Sequence, residues 1–249
     1  GPLQPLTVLG SPQAQVEADL RFEKRLLSGT AALSVPSARL SANGGVDFAR
    51  NRFDELRLAA RIDRPGQVAA GVSGQSVDVR ARLAGPFDAM DIGYLLTSAE
   101  LRQGGIALRN LRLEGDGRTN GTRGRFPVRL TAQALSIGQR AVDERLRNLV
   151  VQSVILRNGD TLRLDPTAVR ASGFRGQIEG QGNLSDGNYL ASFRGGLEGL
   201  EIAGLGRLDL DAVLRLARPA GGQSNFSGTA RATMRRFDNG FLLGLGEGL

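Results

Sequence analysis

Apolar residues at every second position constrain this chain more than any other feature of its sequence. Residues 54–63 read DELRLAARID, in which Leu56, Leu58, Ala60 and Ile62 alternate with residues that are mostly charged. A period of two places one set of side chains on each face of an extended strand. The segment therefore predicts a strand with one apolar face and one solvated face.

The alternation recurs along most of the chain, in segments separated by turn-forming dipeptides. Residues 16–22, 77–83, 128–134 and 206–218 each repeat it. Asn-Gly and Asp-Gly pairs favour the positive φ angles of tight hairpin turns. Such pairs occur at Asn43-Gly44, Asn120-Gly121, Asn158-Gly159, Asp186-Gly187 and Asn239-Gly240. The sequence therefore predicts an all-β chain of antiparallel hairpins.

The apolar face of such a sheet needs a cover, and the composition limits what can supply it. Aromatic residues make up 5% of the 249 residues and there is no tryptophan, whereas a filled interior of this size usually holds more large rings. About 12 strands at about 4.8 Å each would span about 60 Å, too far for one helix to cover. We therefore expect an elongated antiparallel sheet rolled into a half-open groove.

One segment near 140–150 breaks the period of two. In RAVDERLRNLVV the apolar residues Val142, Leu146, Leu149 and Val150 follow helical spacing, which predicts a short amphipathic helix of about 10 residues that covers exposed sheet surface. Residues 5–249 are expected to form one β-groove, with a seam at this helix as an open alternative. Gly1-Pro2 resembles what a protease leaves after tag removal, so residues 1–4 are expected to be a cloning remnant and a flexible start.

Most catalytic chemistry is excluded by residue types that the chain lacks. Without histidine or cysteine, Ser-His-Asp hydrolysis, Cys-His catalysis and the usual zinc ligand sets are impossible. The single lysine, Lys24, does not follow a phosphate-binding glycine loop. We therefore expect neither a metal nor a cofactor, and no enzymatic activity.

A carboxylate pair is the remaining route to catalysis. Asp209 and Asp211 share one face of a predicted strand, about 7 Å apart by strand rise, which is near the spacing of an inverting glycosidase. They alternate with leucines, however, and lie beside Arg207 and Arg215. The preferred interpretation is the solvated face of an amphipathic strand.

The basic balance permits an anionic partner without identifying one. Thirty-two basic and 25 acidic residues give a net charge of +7, and nearly all the basic residues are arginines. A nucleic-acid site would concentrate this charge beside aromatic residues, but here arginines alternate with Asp and Glu, so no nucleic-acid partner is expected. A solvated face is favoured over an arginine-lined rim for anionic lipid head groups, which stays an alternative.

Three segments carry a resemblance to a known family: LRNLRLEGDG at 108–117, DELRLAARID at 54–63 and GRLDLDAVLRLAR at 206–218. With Gly, Asn and Asp turns in a cysteine-free chain, residues 15–237 resemble the repetitive periplasmic region of the TamB and AsmA-like family. The resemblance implies a β-taco, an apolar trough in proteins that are anchored in the inner membrane of Gram-negative bacteria and reach across the periplasm. We expect the family's N-terminal anchor to lie outside this sequence, and no part of the sequence matches the family's C-terminal segment, which meets an outer-membrane barrel. The resemblance brings no catalytic residues.

The alternating strands predict a groove with acyl chains inside and head groups in water. The resemblance implies that this groove carries phospholipids between the inner and outer membranes. Small residues such as Ala60, Ala81, Ala132 and Ala230 would leave room for an acyl chain. Membrane attachment is expected only through parts absent from this sequence. The predicted lining residues are Val16, Leu20, Leu56, Leu58, Ile62, Val77, Val79, Leu83, Ile106, Leu108, Leu111, Leu113, Val128, Leu130, Leu208, Leu210 and Leu214.

Two other functions remain open at this point. An exposed sheet edge could template strands of an outer-membrane β-barrel partner by strand augmentation, as in a translocation and assembly module. A closed sandwich or solenoid could act as a rigid spacer whose apolar face is filled by its own side chains. The spacer hypothesis requires a packed interior, and the augmentation hypothesis requires a free edge.

Overall fold

The computed structural model describes residues 14–68, 72–103, 105–222 and 225–238, which form one open antiparallel sheet. Fourteen strands follow one another in sheet order, and β5 lies off this path and pairs with β7. The strands are β1 (Gln15–Glu23), β2 (Leu26–Val35), β3 (Ala38–Asp47), β4 (Arg52–Ile62), β5 (Val72–Gly74), β6 (Val77–Pro86), β7 (Met90–Gln103), β8 (Ile106–Thr119), β9 (Arg123–Ser136), β10 (Arg147–Asn158), β11 (Thr161–Ala171), β12 (Phe174–Asn183), β13 (Tyr189–Ile202), β14 (Gly206–Arg218) and β15 (Asn225–Phe237). The helices are α1 (Pro65–Val68) and α2 (Arg140–Asp143). The prediction of an open, all-β antiparallel sheet is confirmed.

The pairing register sorts side chains onto two faces, because residues directly opposite each other in antiparallel strands share a face. Leu58, for example, lies opposite Ala42 on one side and Ala81 on the other. The apolar face contains Val16, Leu33, Leu40, Leu58, Ala81, Leu96, Leu113, Leu130, Val151, Val169, Ile178, Phe193, Leu214 and Ala230, with the residues in phase with them. The polar face contains Glu17, Arg39, Arg57, Arg80, Arg112, Arg129, Gln152, Arg163, Arg175, Arg194, Asp211 and Arg231 in the same way.

Bulges keep apolar side chains on one face where the sequence spacing becomes odd. The register shifts between Phe53 and Leu56 in β4 and between Leu197 and Leu200 in β13. The residues inside these bulges, Glu55 and Gly199, have φ angles of +50° and +63°. An extra residue in a bulge reverses the phase of alternation, so Phe53 and Leu56 lie on the same face although three positions separate them.

The most buried part of the sheet lies toward one end of its strands, where α1, β5 and α2 are found; we call it the helical end. The opposite end carries hairpin turns such as 120–122 and 159–160, and we call it the turn end. The buried hydrophobic residues, each below 9% exposed, belong to the helical half: Ala38, Val77, Leu111, Ala132, Leu146, Leu149, Leu197, Leu200 and Leu208. The apolar face is therefore covered at the helical end and more open toward the turn end.

Two local predictions need correction, and one element was not foreseen. The predicted helix of about 10 residues is a single turn, Arg140–Asp143, and Leu149 and Val150 belong to β10 because they pair with Ala132 and Thr131 of β9. The helix α1 was not predicted. The dipeptide Asn43-Gly44 lies inside β3 and not in a turn, and Asn239-Gly240 lies outside the described residues.

The molecule exposes far more surface than a compact protein of its mass. Its accessible surface is 16539 Å², against about 10,600 Å² expected for a compact monomer of 26.4 kDa. A sheet that is mostly a single layer explains the excess, because large parts of both faces stay exposed outside the covered helical end. Neither helix in the described part of the chain has the length or apolarity to cross a membrane.

Candidate functional site: the apolar face

The register brings together nearly all the residues predicted to line the groove. Fifteen of them share the apolar face: Val16, Leu20, Leu56, Leu58, Ile62, Val77, Val79, Leu83, Leu111, Leu113, Val128, Leu130, Leu208, Leu210 and Leu214. The other two, Ile106 and Leu108, pair with Gln103 and Leu101. Asn110, whose φ is +48°, separates them from Leu111, so alternation does not place them with the others.

The apolar face is only partly covered. Among the described residues, no large side chain is less than 2% exposed. Leu58, in the middle of β4, is 39% exposed, whereas Leu208, at the helical end of β14, is 5% exposed. Leu58 is thus available to a ligand, whereas Leu208 is covered by the protein itself.

The cover at the helical end is the segment that contains α2. This helix lies between β9 and β10 in the chain but contacts β13, which is three strands beyond β10 in the sheet. The guanidinium of Arg145 donates to the carbonyl of Gly199, and the Gly173 amide donates to the Arg145 carbonyl at 2.9 Å. Leu146 is buried in the same segment. The sheet therefore curls around the apolar face at this end.

The turn that contains α2 is held by Asp143. Its carboxylate accepts hydrogen bonds from the Ser136 hydroxyl at 2.6 Å and the Ile137 amide at 2.8 Å. Burial alone would raise the pKa of Asp143, but these bonds and those from the amides of Gly138 and Gln139 outweigh it and lower the pKa. Asp143 thus stays charged and fixes the segment that closes the helical end.

Polar groups on the apolar face are satisfied within the sheet. The hydroxyls of Ser153 and Thr167 bond to each other at 2.5 Å, and Thr167 also donates to the Asp165 carbonyl at 2.7 Å. The Tyr94 hydroxyl donates to the Pro127 carbonyl at 2.6 Å, and burial raises the pKa of Tyr94. No buried side-chain nitrogen or oxygen in the described residues lacks a partner. The buried polar groups of this face are therefore already paired within the protein.

Aromatic rings that lie over glycines were missed by the sequence analysis. Phe193 lies on the apolar face, stacked against Phe174 with ring centroids 5.4 Å apart. A Cβ at Gly176 would lie 2.7 Å from the Phe193 ring, and one at Gly115 would lie 2.5 Å from the Tyr94 hydroxyl. These glycines therefore make room for the rings, and glycine at an apolar-face position within a strand was the available signal.

The polar face holds cavities that the sequence analysis treated as solvated surface. One of about 1570 Å³ lies over β12 to β15 and is lined by Arg175, Arg194 and Arg231 among others. Another of about 880 Å³ lies near the turn end of β8 to β11. Neither was predicted, because a linear sequence does not show which outward side chains stand beside one another.

In the carboxylate pair of β14, Asp209 stabilises the sheet. Asp209 accepts a hydrogen bond from the Gly199 amide at 2.9 Å and pairs with Arg235 at 2.6 Å. Both contacts lower the pKa of Asp209, whereas a general acid needs a raised pKa. Asp209 thus holds the bulge of β13 in place. Within the described chain, no group of acidic side chains is arranged to hold a metal ion.

No family model, no curated protein and no solved structure matches the chain.

Proposed function

We propose that the apolar face binds the acyl chains of phospholipids and that this chain is a non-enzymatic segment of a protein that supports phospholipid transport across the periplasm between the inner and outer membranes. The observation that carries the proposal is the continuity of the apolar face over fourteen strands in one open sheet. At about 4.8 Å per strand, that face is about 60 Å wide across the strands.

The exposure of this face supports a ligand over a packed interior. Leu20, Leu40 and Leu58 are 38%, 45% and 39% exposed. Exposed leucines that share one face of a sheet favour a binding surface over a packed interior. Burial of each acyl CH₂ group contributes about 0.8 kcal/mol, so a chain of ordinary length gains enough to bind without any polar contact. A rigid spacer with a filled interior would instead cover these leucines, and it stays the alternative.

The buried hydroxyl groups of the apolar face already have hydrogen-bond partners, which supports weak selectivity for lipid head groups. The hydroxyl groups of Ser153, Thr167 and Tyr94 all form hydrogen bonds within the sheet. Head-group choice requires directional donors or acceptors at the site. The proposed site therefore accepts phospholipids by their tails, and the head groups stay in water beyond the edge of the face.

Photo-crosslinking tests the proposal directly. A photoreactive amino acid in place of Leu58, on the apolar face, is compared with the same residue in place of Ala59, which is exposed on the polar face of the same strand. We expect phospholipid adducts at Leu58 and none at Ala59, together with co-purified phospholipid by native mass spectrometry. A protein that purifies without phospholipid, or phospholipid adducts that are equally frequent at Leu58 and Ala59, would refute lipid binding on the apolar face.

A second candidate function rests on the edges of the sheet. β1 and β15 are the terminal strands of the pairing order, and an edge strand can add a strand from an outer-membrane β-barrel partner. The alternating charges of β1 at Glu17, Asp19, Arg21 and Glu23 face solvent. Under this hypothesis, proline substitutions in β1 would abolish barrel-partner binding without changing the lipid adducts at Leu58.

A further inference from the structure

Five arginines line the cavity of about 880 Å³ near the turn end of the polar face. Four of them are in phase with that face, whereas Arg157, one position out of phase beside Leu156, reaches the cavity from the end of β10. The five arginines come from four consecutive strands, and Leu156 forms part of the same lining. We call this site the arginine cleft, and its arginines are Arg118, Arg123, Arg125, Arg157 and Arg163. Among the described residues that line it, none is an Asp or a Glu. Such a concentration of positive charge differs from the rest of the polar face, where acidic side chains are interspersed.

The pairing register aligns the cleft in a row across the strands. Arg118 lies opposite Arg125, Arg125 opposite Leu156, and Leu156 opposite Arg163. Neighbouring strands are about 4.8 Å apart, so Arg125 and Arg163 stand about 10 Å apart on either side of Leu156. Guanidinium groups on long side chains can reach a common ligand across that distance.

Three of the five arginines are held in place by the protein, and two are not. Arg118 pairs with Asp91 at 2.8 Å, Arg163 pairs with Asp165 at 2.9 Å, and Arg157 donates to the Gly159 carbonyl at 2.9 Å. Arg123 and Arg125 make no ion pair in the part of the chain that the structure describes. The cleft thus combines guanidinium groups that are oriented by protein partners with guanidinium groups whose charge no carboxylate of the described residues neutralises.

Two pairs of opposed arginines elsewhere on the polar face are compensated by a carboxylate, whereas Arg170 and Arg175, also opposed, make no ion pair among the described residues. Arg57 and Arg82 lie opposite each other, and the carboxylate of Glu55 bridges them at 2.8 and 2.6 Å. Like charges directly opposite in a sheet repel, and the bridging oxyanion removes the repulsion.

A second pair repeats this arrangement. Arg39 and Arg61 lie opposite each other and share Asp63 at 3.3 and 3.0 Å. Arg118 and Arg125 are also opposed, but Asp91 reaches Arg118 alone. Beside Arg125, no carboxylate of the described residues takes the bridging position that Glu55 and Asp63 fill.

We infer that the arginine cleft binds a phosphate group, whose oxyanions take the bridging position that Glu55 and Asp63 occupy elsewhere. Several guanidinium groups match a phosphate better than a carboxylate, because a phosphate offers more acceptor oxygens and Arg recognises it through paired N–H donors. The phosphate belongs either to a soluble compound or to a lipid head group. The cleft lies on the opposite face from the acyl-chain site, so this inference does not depend on the proposed function.

Two probes distinguish the sources of the phosphate. Sodium pyrophosphate binding is measured by calorimetry, and co-sedimentation is measured with phosphatidylglycerol vesicles and with phosphatidylcholine vesicles. Pyrophosphate binding assigns the cleft to soluble phosphates. Sedimentation with phosphatidylglycerol alone assigns it to anionic head groups. Failure of both probes to bind would overturn the inference.

A matched pair of variants tests whether the cleft is responsible. Arg123→Gln with Arg125→Gln removes two uncompensated charges, whereas Arg57→Gln with Arg82→Gln removes two charges that Glu55 compensates. The net charge changes equally in both. We expect at least tenfold weaker binding of the responding probe to the cleft variant and less than a twofold change for the control, with unchanged circular dichroism. An equal loss in both variants would show attraction by net charge alone and would overturn the site.

Discussion

Replacing one apolar-face leucine with Asp separates an open binding face from a packed core. Leu58 is 39% exposed, so its substitution forfeits about 60% of the 1.5–3 kcal/mol that full burial of Leu contributes, or about 1–2 kcal/mol. Water reaches the new carboxylate, and no buried charge is created. At about 2–4 °C per kcal/mol for a chain of this size, Leu58→Asp is expected to lower the melting temperature by about 2–8 °C.

Leu208 provides the contrast within the same molecule. It is 5% exposed beneath the covered helical end, and an unpaired charge there costs several kcal/mol, a large share of the 5–15 kcal/mol typical of a folded domain. Leu208→Asp is therefore expected to unfold the protein, whereas Leu58→Asp keeps the fold and loses lipid crosslinking at the neighbouring Leu56. Ala59→Asp, on the polar face, should change neither. Equal melting temperatures for Leu58→Asp and Leu208→Asp would refute the distinction between open and covered regions.

Two further predictions concern pH and glycine packing. The hydrogen bond from Arg82 lowers the pKa of Glu55, and the Gly199 amide and Arg235 lower the pKa of Asp209. Such carboxylates stabilise the fold above their unfolded pKa, and this stability is lost as the pH falls through the folded pKa. The melting temperature should therefore be flat down to about pH 5 and decline below about pH 4, less steeply in high salt. Flat melting temperatures down to pH 2 would contradict a role for these pairs. Gly176→Ala should cost about 1–3 kcal/mol in urea unfolding because its Cβ would lie 2.7 Å from the Phe193 ring, whereas Gly105→Ala meets nothing within 4 Å and should be neutral.

The alternating pattern was sufficient to predict the strands and the face to which most of their side chains belong. Leu56, Leu58 and Ile62 share a face because a period of two has no other geometric solution within one strand. The same rule fails across a bulge, because it places Phe53 opposite in phase to Leu56, whereas the φ of +50° at Glu55 brings both to the apolar face. A bulge depends on how two strands fit, which a single strand's sequence does not contain.

The remaining errors also arose from contacts that are distant in sequence. Leu146, Leu149 and Val150 have helical spacing, but pairing with β9 satisfies the backbone of Leu149 and Val150 in β10, and a helix of a few turns has little stability of its own. Asn43-Gly44 has the composition of a turn, yet Asn43 pairs with Thr30 and Gly44 with Gly29 in the middle of β3. The arginine cleft could not be predicted, because its five side chains come from four strands that only the register aligns.

Every strand on the main path except β4 pairs with the strand that directly follows it in the chain, and this has a consequence for the evolution of such molecules. Between β4 and β6, the chain inserts α1 and β5, yet β4 still pairs with β6. The duplication or loss of one hairpin therefore changes the sheet by about 9.6 Å, two strand spacings, and leaves every other pair intact. Contacts confined to neighbours also make stability accumulate unit by unit, as in repeat proteins. A gene encoding this architecture can adjust the reach of its product in fixed steps, without redesigning a core.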